Sequence, residues 1–402
     1  MLHTYDLIIV GGGAAGFFSA INYAELHAGA KILILEKGNQ LLGKVKVSGG
    51  GRCNVTHACF DAKELAKYYP RGSRELLGAF HRFQPNDTIK WFKQRGVAIK
   101  KEADGRMFPI TDNSQTIIDC FMNEVNKYKI EIHTQEGLKA LFPPKENNTW
   151  EIITNHKNYH TKALMITTGS SEQMWKLLGT IGHTVEPPVP SLFTFNVNDY
   201  RIKNLMGISV KNATVKVSQT KFKESGPLLI THWGFSGPAI LKLSAWGARL
   251  LHQLNYNFSI QINWNNKFDE ASMLSYFQQQ NKKQKIANHT FPEIPSRLWQ
   301  NIIKYVGITR ENWGDISKKR MQLLVNEVVN ASYEVKGKST FKEEFVTCGG
   351  VKLSEVDFKT MQSKIHRGLF FSGEVLDIDA ITGGFNFQAA WTTAWIAANA
   401  IQ

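Results

Sequence analysis

The sequence has little cysteine and no long hydrophobic segment. Its 402 residues include 4 cysteines, which are scattered without CxxC spacing: Cys53, Cys59, Cys120 and Cys348. Zinc sites and disulfide scaffolds typically show such spacing, so we expect no metal and a reducing compartment. No uninterrupted apolar run approaches the roughly 20 residues that a membrane-spanning helix needs.

The most apolar stretch runs from Leu7 to Ala24 near the N-terminus. It contains four glycines, follows Asp6 and has no basic leader. A signal peptide needs a basic leader and a cleavage site. We therefore expect a cytoplasmic protein that does not contact a membrane.

Acidic residues are outnumbered. There are 34 Asp and Glu against 48 Lys and Arg, which gives a net charge of +14 and a pI near 9.4. This surplus favours RNA, phosphate-rich substrates or anionic surfaces as partners. Arginine is the better reader of phosphates and bases, yet Lys outnumbers Arg by 36 to 12. A drift of the composition toward lysine, without a role in binding, therefore stays open as the alternative explanation of the positive charge.

The first forty residues have the pattern of a βαβ unit. Tyr5 to Val10 is a short apolar run typical of a buried parallel strand, and Phe17 to His27 has helical spacing. Between them stands GGGAAG at 11–16, and the second strand, 31–36, ends in Glu36.

Each part of this unit predicts a task in dinucleotide binding. Gly11 permits the tight turn, Gly13 lets the backbone approach a pyrophosphate, and Gly16 allows close helix packing. The helix N-terminus offers free N–H groups to phosphates. Glu36 suits the ribose hydroxyls, and an acid there favours FAD or NAD over NADP.

Two distant segments favour FAD over NAD. Residues 43–54 read GKVKVSGGGRCN, which predicts a second backbone cradle where Lys44, Lys46 and Arg52 supply positive charge; a flexible surface loop is the alternative. Near the C-terminus, 369–374 predicts a strand that ends in Gly373 and Glu374, and an apolar helix runs to residue 401. Its N-terminus would face the flavin.

These blocks resemble the BaiN-like/RdsA (YhiN-type) family of FAD-dependent oxidoreductases, which have the character of two-dinucleotide-binding-fold flavoproteins. The matching stretches are VGGGAAG at 10–16, GKVKVSGGGRCNVT at 43–56, GRMFP at 105–109, ITHWGFSGPAIL at 230–241, and the long block 346–391. One departure is the stretch Thr167 to Trp175, which is shorter than the glycine-rich stretch usual in the family and leaves the substrate open.

Motif and resemblance together give the expected FAD contacts. They are Gly11, Gly13, Ala14, Ala15, Gly16, Glu36, Lys37, Lys44, Ser48, Gly50, Gly51, Arg52, Cys53, Asn54, Thr168, Gly169, Gly373, Glu374, Asp377, Gly384, Phe385, Asn386 and Phe387. NAD(P)H is the expected transient electron donor.

The expected fold class is α/β, with a discontinuous Rossmann-like FAD domain. This domain covers 1–190 and 345–402, and the proline-rich stretch 186–190 predicts its boundary. Alternating segments predict a β-rich insertion over 191–267 and 317–344. Helical spacing predicts a small helical subdomain over 268–316. The resemblance implies that the insertion is barrel-like.

Two residues are candidates for chemistry. Cys53 follows the glycine-rich segment and could donate a proton, although a small buried packing residue is the alternative. His232 precedes the glycine-rich turn 234–238 and could contact substrate, although a structural histidine is the alternative.

Three functions stay open. The first is an RNA-modifying reductase that forms dihydrouridine in large-subunit ribosomal RNA, held through a basic surface. The second is a small-molecule oxidoreductase, which oxidises aminoacetone or reduces steroid-like enones as in other members of the resembled family. The third is a flavin-binding redox sensor. The positive charge favours the first.

Overall fold

The computed structural model describes residues 3–145, 149–291, 293–339 and 346–402. The chain forms two compact units, one of residues 1–189 and 346–402 and one of residues 190–345. The first is a mixed α/β unit with a Rossmann-type sheet, which confirms the expected fold class. The finer division of the second unit stays a prediction. Among the described residues, no helix has the length and hydropathy needed to cross a membrane.

The first unit alternates strands and helices. In chain order its elements are β1 His3–Val10, α1 Ala14–Leu26, β2 Ile32–Leu35, α2 Gly43–Gly51, β3 Thr56–His57, α3 Ala62–Ala66, α4 Ser73–Phe80, α5 Pro85–Gln94, β4 Ile99–Lys101, β5 Arg106–Pro109, α6 Gln115–Lys127, β6 Glu131–His133, β7 Leu138–Phe142, β8 Trp150–Thr154, β9 Asn158–Ile166, α7 Glu172–Thr180 and β10 Val185–Ser191.

The second unit is richer in strands and gives way again to the first at residue 346. Its elements are β11 Thr194–Asn196, β12 Ser209–Val217, β13 Lys223–Ile230, β14 Gly234–Ser236, α8 Pro238–Gln253, β15 Asn257–Asn263, α9 Glu270–Gln278, α10 Ser296–Tyr305, α11 Lys318–Val329, β16 Ala331–Lys336 and β17 Lys338–Ser339. The first unit resumes with β18 Val346–Val351, β19 Val356–Asp357, β20 Gln362–Ser363, β21 Leu369–Phe371 and α12 Phe385–Ala400.

A parallel sheet organises the first unit. β1 pairs in parallel with β2 on one side and with β9 on the other, and β21 and β6 extend the sheet in parallel. Residues 7–10 of β1, 32–35 of β2 and 163–166 of β9 are buried, as expected of parallel strands covered on both faces. The strands β19, β20 and β21, between residues 356 and 371, thus complete a sheet that residues 3–166 begin.

Helices α1 and α12 cover this sheet through aromatic packing. The ring of Phe18 lies 5.1 Å from that of Trp391 and 4.5 Å from that of Trp91. The buried amide of Gln388 accepts hydrogen bonds from Thr56 at 2.6 Å and from Thr88 at 2.9 Å. Helix α12, which comes last in sequence, therefore lies in the centre of the first unit.

The second unit is built on a sheet with the strand order β16-β15-β12-β13-β14-β11-β17. The two outermost strands of this order, β16 and β17, are separated in sequence only by Gly337. Helices α9, α10 and α11 contribute to the same buried core as the strands, and this core includes Trp299 of α10 and Tyr333 of β16. The alternating sequence segments 213–217 and 258–262 lie within β12 and β15, and β11 lies within the alternating segment 193–197. The barrel-like form stays a prediction.

Two predicted segments have regular structure. Residues 43–51, for which a backbone cradle or a flexible surface loop is predicted, form α2, which is interrupted where Ser48, Gly49 and Gly50 leave helical backbone angles. The proline-rich stretch 186–190, predicted as a domain boundary, lies within β10, which pairs with β18, and the two compact units divide between residues 189 and 190. Proline tolerates an edge strand because no ladder N–H is needed there.

We expect the free energy of unfolding to fall as the pH drops from 7.5 to 5.5. Burial lowers the pKa of His183 and of His289, whereas in the unfolded chain both regain the ordinary value of about 6.5. Below that pH the unfolded chain binds more protons than the folded chain, so acid favours unfolding. Urea unfolding at the two pH values measures this. His289→Phe, which keeps a ring in the aromatic cluster, should reduce the difference, and an identical pH dependence in the variant would contradict the assignment.

Candidate active site

The parallel sheet brings several predicted site segments to one edge. Gly11 follows β1, Glu36 follows β2, Thr167 follows β9, and Gly373 lies shortly after β21. Because these strands are parallel neighbours, their carboxyl ends meet at the same edge, which is where open α/β sheets bind ligands. The topology therefore gathers residues that are more than 300 positions apart in sequence.

The turn after β1 requires glycine at two points. Gly11 has a φ of +117°, and a Cβ there would lie 2.6 Å from the carbonyl oxygen of Thr167. A Cβ on Gly16 would collide with the carbonyl oxygen of Gly11. A Cβ on Gly13 would meet no atom within 4 Å, and Gly13 caps α1, whose first residues are Ala14 and Ala15. Open space thus lies at the N-terminus of a helix, where the first N–H groups have no partner within the helix and can bind an anion.

Glu36 is fixed beside this turn. Its carboxylate accepts hydrogen bonds from the backbone N–H groups of Gly12 and Gly38, both at 2.8 Å. Lys37, the next residue, is exposed. The acid predicted from the strand end therefore touches the glycine-rich turn directly.

Two neighbouring threonines after β9 behave differently. The hydroxyl of Thr167 donates to the carbonyl oxygens of Val10 at 3.0 Å and Gly11 at 2.9 Å. The hydroxyl oxygen of Thr168 is buried and has no hydrogen-bond partner among the described residues. A buried polar group without a partner is costly, so an unpaired hydroxyl at this edge indicates a place for a ligand atom.

Glu374 joins the C-terminal segment to the rest of the site. Its carboxylate forms an ion pair with Lys44 of α2. It also accepts a hydrogen bond from the backbone N–H of Thr347 at 3.1 Å. A Cβ on Gly169 would lie 3.7 Å from the Glu374 carboxylate, and one on Gly373 would lie 3.2 Å from the Cβ of Ala15. Five predicted contact residues therefore lie together at the sheet edge.

The glycine-rich segment after Val47 forms a cradle of left-handed backbone. Gly49, Gly50 and Gly51 have φ values of +59°, +69° and +83°, and Cβ atoms on Gly50 and Gly51 would meet nothing within 4 Å. The hydroxyl of Ser48 donates to the carbonyl oxygen of Val45 at 3.0 Å. This cradle faces open space on the side where Cβ atoms would project.

Arg52, a predicted source of positive charge, lies among acidic and aromatic neighbours. Its guanidinium donates to Glu102 at 2.6 Å, lies 3.5 Å from Asp112, and stacks 4.0 Å from the centre of the Phe108 ring. Lys44 pairs with Glu374. These ion pairs support the cradle, and the contact of either cation with a cofactor stays a prediction.

Cys53 is poorly suited to donate a proton. Its side chain has no exposed surface, its φ is +62°, and burial raises the pKa of the thiol to about 12. A thiol with such a pKa keeps its proton at neutral pH, and a buried site gives a substrate no access to it. The packing alternative weighed from the sequence agrees better with this geometry.

Asn54 links the cradle to the start of α12. With its amide oriented so that the oxygen faces α12, the side chain accepts from the N–H of Gly384 at 3.0 Å and donates to the carbonyl oxygen of Thr56 at 3.0 Å. A Cβ on Gly384, whose φ is +91°, would lie 2.5 Å from that same carbonyl oxygen. Only glycine therefore fits where α12 begins.

The N-terminus of α12 is braced by its own first residues. Asn386 accepts from the backbone N–H of Ala380 at 2.9 Å, while Phe387 stacks on Trp391 with ring centres 5.5 Å apart. The ring of Phe385 is buried. The N–H groups of this first turn have no partner within the helix, which makes the turn suited to an electron-rich ligand edge.

The sequence reasoning missed the aromatic neighbours of Phe385. The rings of His57 and Tyr68 lie 4.5 Å and 4.3 Å from it, and His57 is hydrogen-bonded to the carbonyl oxygen of Gly383 at 3.0 Å. Burial lowers the pKa of His57. The sequence does carry a signal for His57, because this residue directly follows the stretch 43–56 that resembles the family.

An ion pair that was also missed supports the loop before α12. Arg71 pairs with Asp379, whose side chain has no exposed surface. The predicted contact Asp377 is buried, and its backbone N–H donates to Val351 at 3.1 Å. Asp377 is thus placed in a braced loop, and its role toward a cofactor stays a prediction.

His232 lies in the other unit and was the second candidate for chemistry. It is exposed in the turn between β13 and β14, and its ring is 5.1 Å from that of Trp233. Its role stays a prediction. Among the described residues, no three His, Cys, Asp or Glu side chains are grouped as a metal site would require.

The residues of the sheet edge fit FAD. The open turn at Gly13, the unpaired hydroxyl of Thr168 and the free N-terminus of α12 suit a dinucleotide with a terminal ring system. Glu36 would hold the adenosine ribose, the turn after β1 the pyrophosphate, and the cradle with α12 the flavin.

We expect Gly384→Ala to lower both FAD content and stability. The Cβ would press against the carbonyl oxygen of Thr56, and the left-handed backbone adds strain of about 1–3 kcal/mol. The ratio of flavin absorbance to protein and urea unfolding measure the two effects. Gly179→Ala is the matched control, because this helical glycine has open space and alanine favours helix by up to about 1 kcal/mol. Equal behaviour of the two variants would contradict the assignment.

We expect Thr168→Val and Thr167→Val to separate cofactor binding from folding. Thr168→Val should weaken FAD binding about 3- to 10-fold without lowering the stability of the FAD-free protein, because no hydrogen bond within the protein is lost. Thr167→Val should lower the free energy of unfolding by about 1–2 kcal/mol, because the hydroxyl's hydrogen bonds to two carbonyl oxygens are lost. Titration of FAD into deflavinated protein and urea unfolding provide the readouts. A loss of apoprotein stability in Thr168→Val would argue against a ligand partner for that hydroxyl.

Comparison with known proteins agrees with this geometry. The chain is 26% identical over 408 aligned positions to a ribosomal RNA dihydrouridine synthase of Escherichia coli, covering 99% of this chain and 98% of the relative. It is 24% identical to a 3-dehydro-bile acid delta(4,6)-reductase of Clostridium scindens, covering 98% of each. Both matches extend over the FAD segments and the second unit.

Solved structures show a similar fold. A 3-ketosteroid-delta4-(5alpha)-dehydrogenase from Rhodococcus jostii matches with a TM-score of 0.52 and 12% identity, over 99% of this chain and 97% of that chain. The quinol fumarate reductase FrdA of E. coli matches with a TM-score of 0.52 and 12% identity, over 100% of this chain and 70% of that chain. Fold, site and relatives together identify an FAD-dependent oxidoreductase and confirm the resemblance drawn from the motifs. The family model described as HI0933-like protein Rossmann domain matches residues 5–400, and the chain belongs to this family.

Proposed function

We propose that this enzyme reduces uridine to dihydrouridine in large-subunit ribosomal RNA, with NAD(P)H as the electron donor. The observation that carries the proposal is the distribution of charge. Residues 190–345 contain 21 Lys and Arg against 11 Asp and Glu, a net charge of +10 out of the +14 of the whole chain. A polyanionic substrate would be attracted to this unit.

Two relatives support the RNA substrate. The dihydrouridine synthases of E. coli and of Haemophilus influenzae, at 26% and 28% identity, each match 98% or more of this chain. The strongly charged unit is included in both matches. Similarity of this level over the whole length favours the same reaction class and leaves the nucleotide position open.

The reduction adds two hydrogens across the C5–C6 double bond of uracil, one as a hydride and one as a proton. Bound FAD supplies hydride chemistry, and NAD(P)H supplies the electrons. The protein must hold the cofactor and exclude water. Here the left-handed segment Gly49–Gly51 and the braced start of α12 provide rigid backbone for the first task. The buried ring of Phe385, with the half-buried rings of His57 and Tyr68 stacked against it, adds apolar surface for the second.

The proton source is a separate question. Cys53 is buried and holds its proton tightly, so it is a weak candidate. His232 is exposed beside Trp233, and its role as the acid stays a prediction.

A small-molecule oxidoreductase is the second candidate function. It is favoured by the match to the bile-acid reductase, which covers the chain as fully as the RNA enzymes do. Such an enzyme would act on an enone or an amine, and the positive charge of residues 190–345 would have no role in binding its substrate. The dependence of substrate affinity on salt concentration distinguishes the two functions. Binding of RNA should weaken steeply as salt rises, whereas binding of an uncharged substrate should hardly change.

Deleting the gene should remove one or more dihydrouridines from large-subunit ribosomal RNA. Mass spectrometry of nucleosides from the deletion strain, the complemented strain and a strain complemented with Gly384→Ala measures this. Wild-type complementation should restore dihydrouridine, while the flavin-deficient variant should restore little. Dihydrouridine that is unchanged in the deletion strain would overturn the proposal.

A further inference from the structure

Two tyrosine rings project together from the second unit. Tyr200 is 64% exposed and Tyr305 is 41% exposed, and their ring centres lie 5.4 Å apart. Tyr200 begins the 3-10 turn Tyr200–Ile202, and Tyr305 is the last residue of α10. Large aromatic rings are usually more buried than this, so a pair of them in solvent suggests a contact surface.

The pair is held in place by a buried arginine. Arg201 donates to Asp199 at 2.7 Å and to Glu327 of α11 at 2.8 Å, and its guanidinium lies 4.7 Å from the centre of the Tyr305 ring. It is itself only 6% exposed. The ring of Tyr305 is therefore supported by a buried group, and Tyr200 stacks on that ring, which lowers the entropic cost of binding.

Hydrogen bonds from α10 fix the neighbouring backbone. The side chain of Asn301 donates to the carbonyl oxygens of Arg201 at 3.0 Å and Lys203 at 3.3 Å, and Arg297 donates to that of Asn204. Arg297 and Lys203 are nevertheless exposed. The 3-10 turn and α10 thus form one braced surface.

The charge around the pair is positive. Segments 199–206 and 296–305 contain Arg201, Lys203, Arg297 and Lys304, and their single acid, Asp199, is paired with Arg201. Three of these cations, Lys203, Arg297 and Lys304, are exposed. Cations flanking an aromatic platform are what single-stranded nucleic acid needs: bases stack on the rings, and phosphates meet the charges.

We propose that Tyr200 and Tyr305, with Lys203, Arg297 and Lys304, form a binding surface for single-stranded RNA. We refer to these five residues as the tyrosine surface. The inference rests on the proposed function for its choice of RNA as substrate class, and it deepens that function by naming where an unpaired segment is held. Duplex RNA stacks its bases internally and would use the cations alone.

The test is binding of a fluorescein-labelled, mixed-sequence 12-nucleotide RNA to the FAD-loaded protein, followed by anisotropy. Tyr200→Ala should weaken binding roughly 5- to 150-fold, because one stacking platform is lost. Tyr200→Phe should bind as the wild type does, because the ring remains. The double variant Lys203→Glu and Lys304→Glu should weaken binding. It should also make the slope of the logarithm of the binding constant against the logarithm of salt concentration less steep, by about 0.7 per lost phosphate contact.

The matched control is Lys63→Glu with Lys93→Glu, which reverses two exposed charges in the first unit. It changes the net charge by the same amount and should leave RNA affinity close to that of the wild type. Equal losses in the two charge-reversed proteins would mean that total charge, not the tyrosine surface, governs binding. Wild-type affinity in Tyr200→Ala, with urea unfolding unchanged, would equally overturn the inference.

A hairpin of the same length separates stacking from general attraction. The single strand should bind more tightly than the hairpin, and Tyr200→Ala should remove most of that difference. Equal affinity of wild type for the two forms would contradict the inference.

Failure of this surface and failure of the proposed function give different results. If the deletion strain loses dihydrouridine and Tyr200→Ala restores it fully while binding RNA normally, the function stands and the tyrosine surface is wrong. If the deletion changes no dihydrouridine but Tyr200→Ala still weakens RNA binding, the surface stands and the substrate assignment is wrong.

Discussion

The close contact between the turn after β1 and the segment after β9 is the constraint on which the site depends. Gly11 approaches the carbonyl oxygen of Thr167 so closely that a Cβ would lie 2.6 Å from it, while the Thr167 hydroxyl bonds back to the Val10 and Gly11 carbonyls. This contact closes the gap between two parallel strands at their carboxyl ends. It fixes the start of α1, and with it the position at which Thr168 presents an unpaired hydroxyl.

The two units differ in how their positive charges are placed. In the first unit three cations near the site are paired with acids, Lys44 with Glu374, Arg52 with Glu102 and Arg71 with Asp379. Backbone N–H groups and helix termini are suited to hold a phosphate there. The second unit carries most of the excess positive charge. Cofactor and polyanion would thus be recognised by different physical means in different parts of the chain.

The sequence predicts the parts of the site that depend on backbone geometry. Gly11, Gly16 and Gly384 each stand where a Cβ would collide with a carbonyl oxygen, so local motif and structure agree. It does not predict pairings that only the fold creates. Arg52 meets Glu102 across 50 residues and Arg71 meets Asp379 across 308, and neither partner has a local signature. For the same reason Cys53 is read as a candidate acid from its neighbours in sequence, although packing buries it completely.

The sheet that holds the cofactor is completed by residues 346–402, which follow the whole second unit in sequence. Until those residues leave the ribosome, β9 lacks its parallel neighbour β21, and α1 lacks the covering helix α12. The second unit can fold during synthesis, whereas the first exposes an open strand edge throughout that time. Flavin capture therefore follows translation of the last helix, so a nascent chain cannot be stabilised early by its own cofactor. Premature termination in that helix leaves β21 paired with β9 but removes the helix that covers α1.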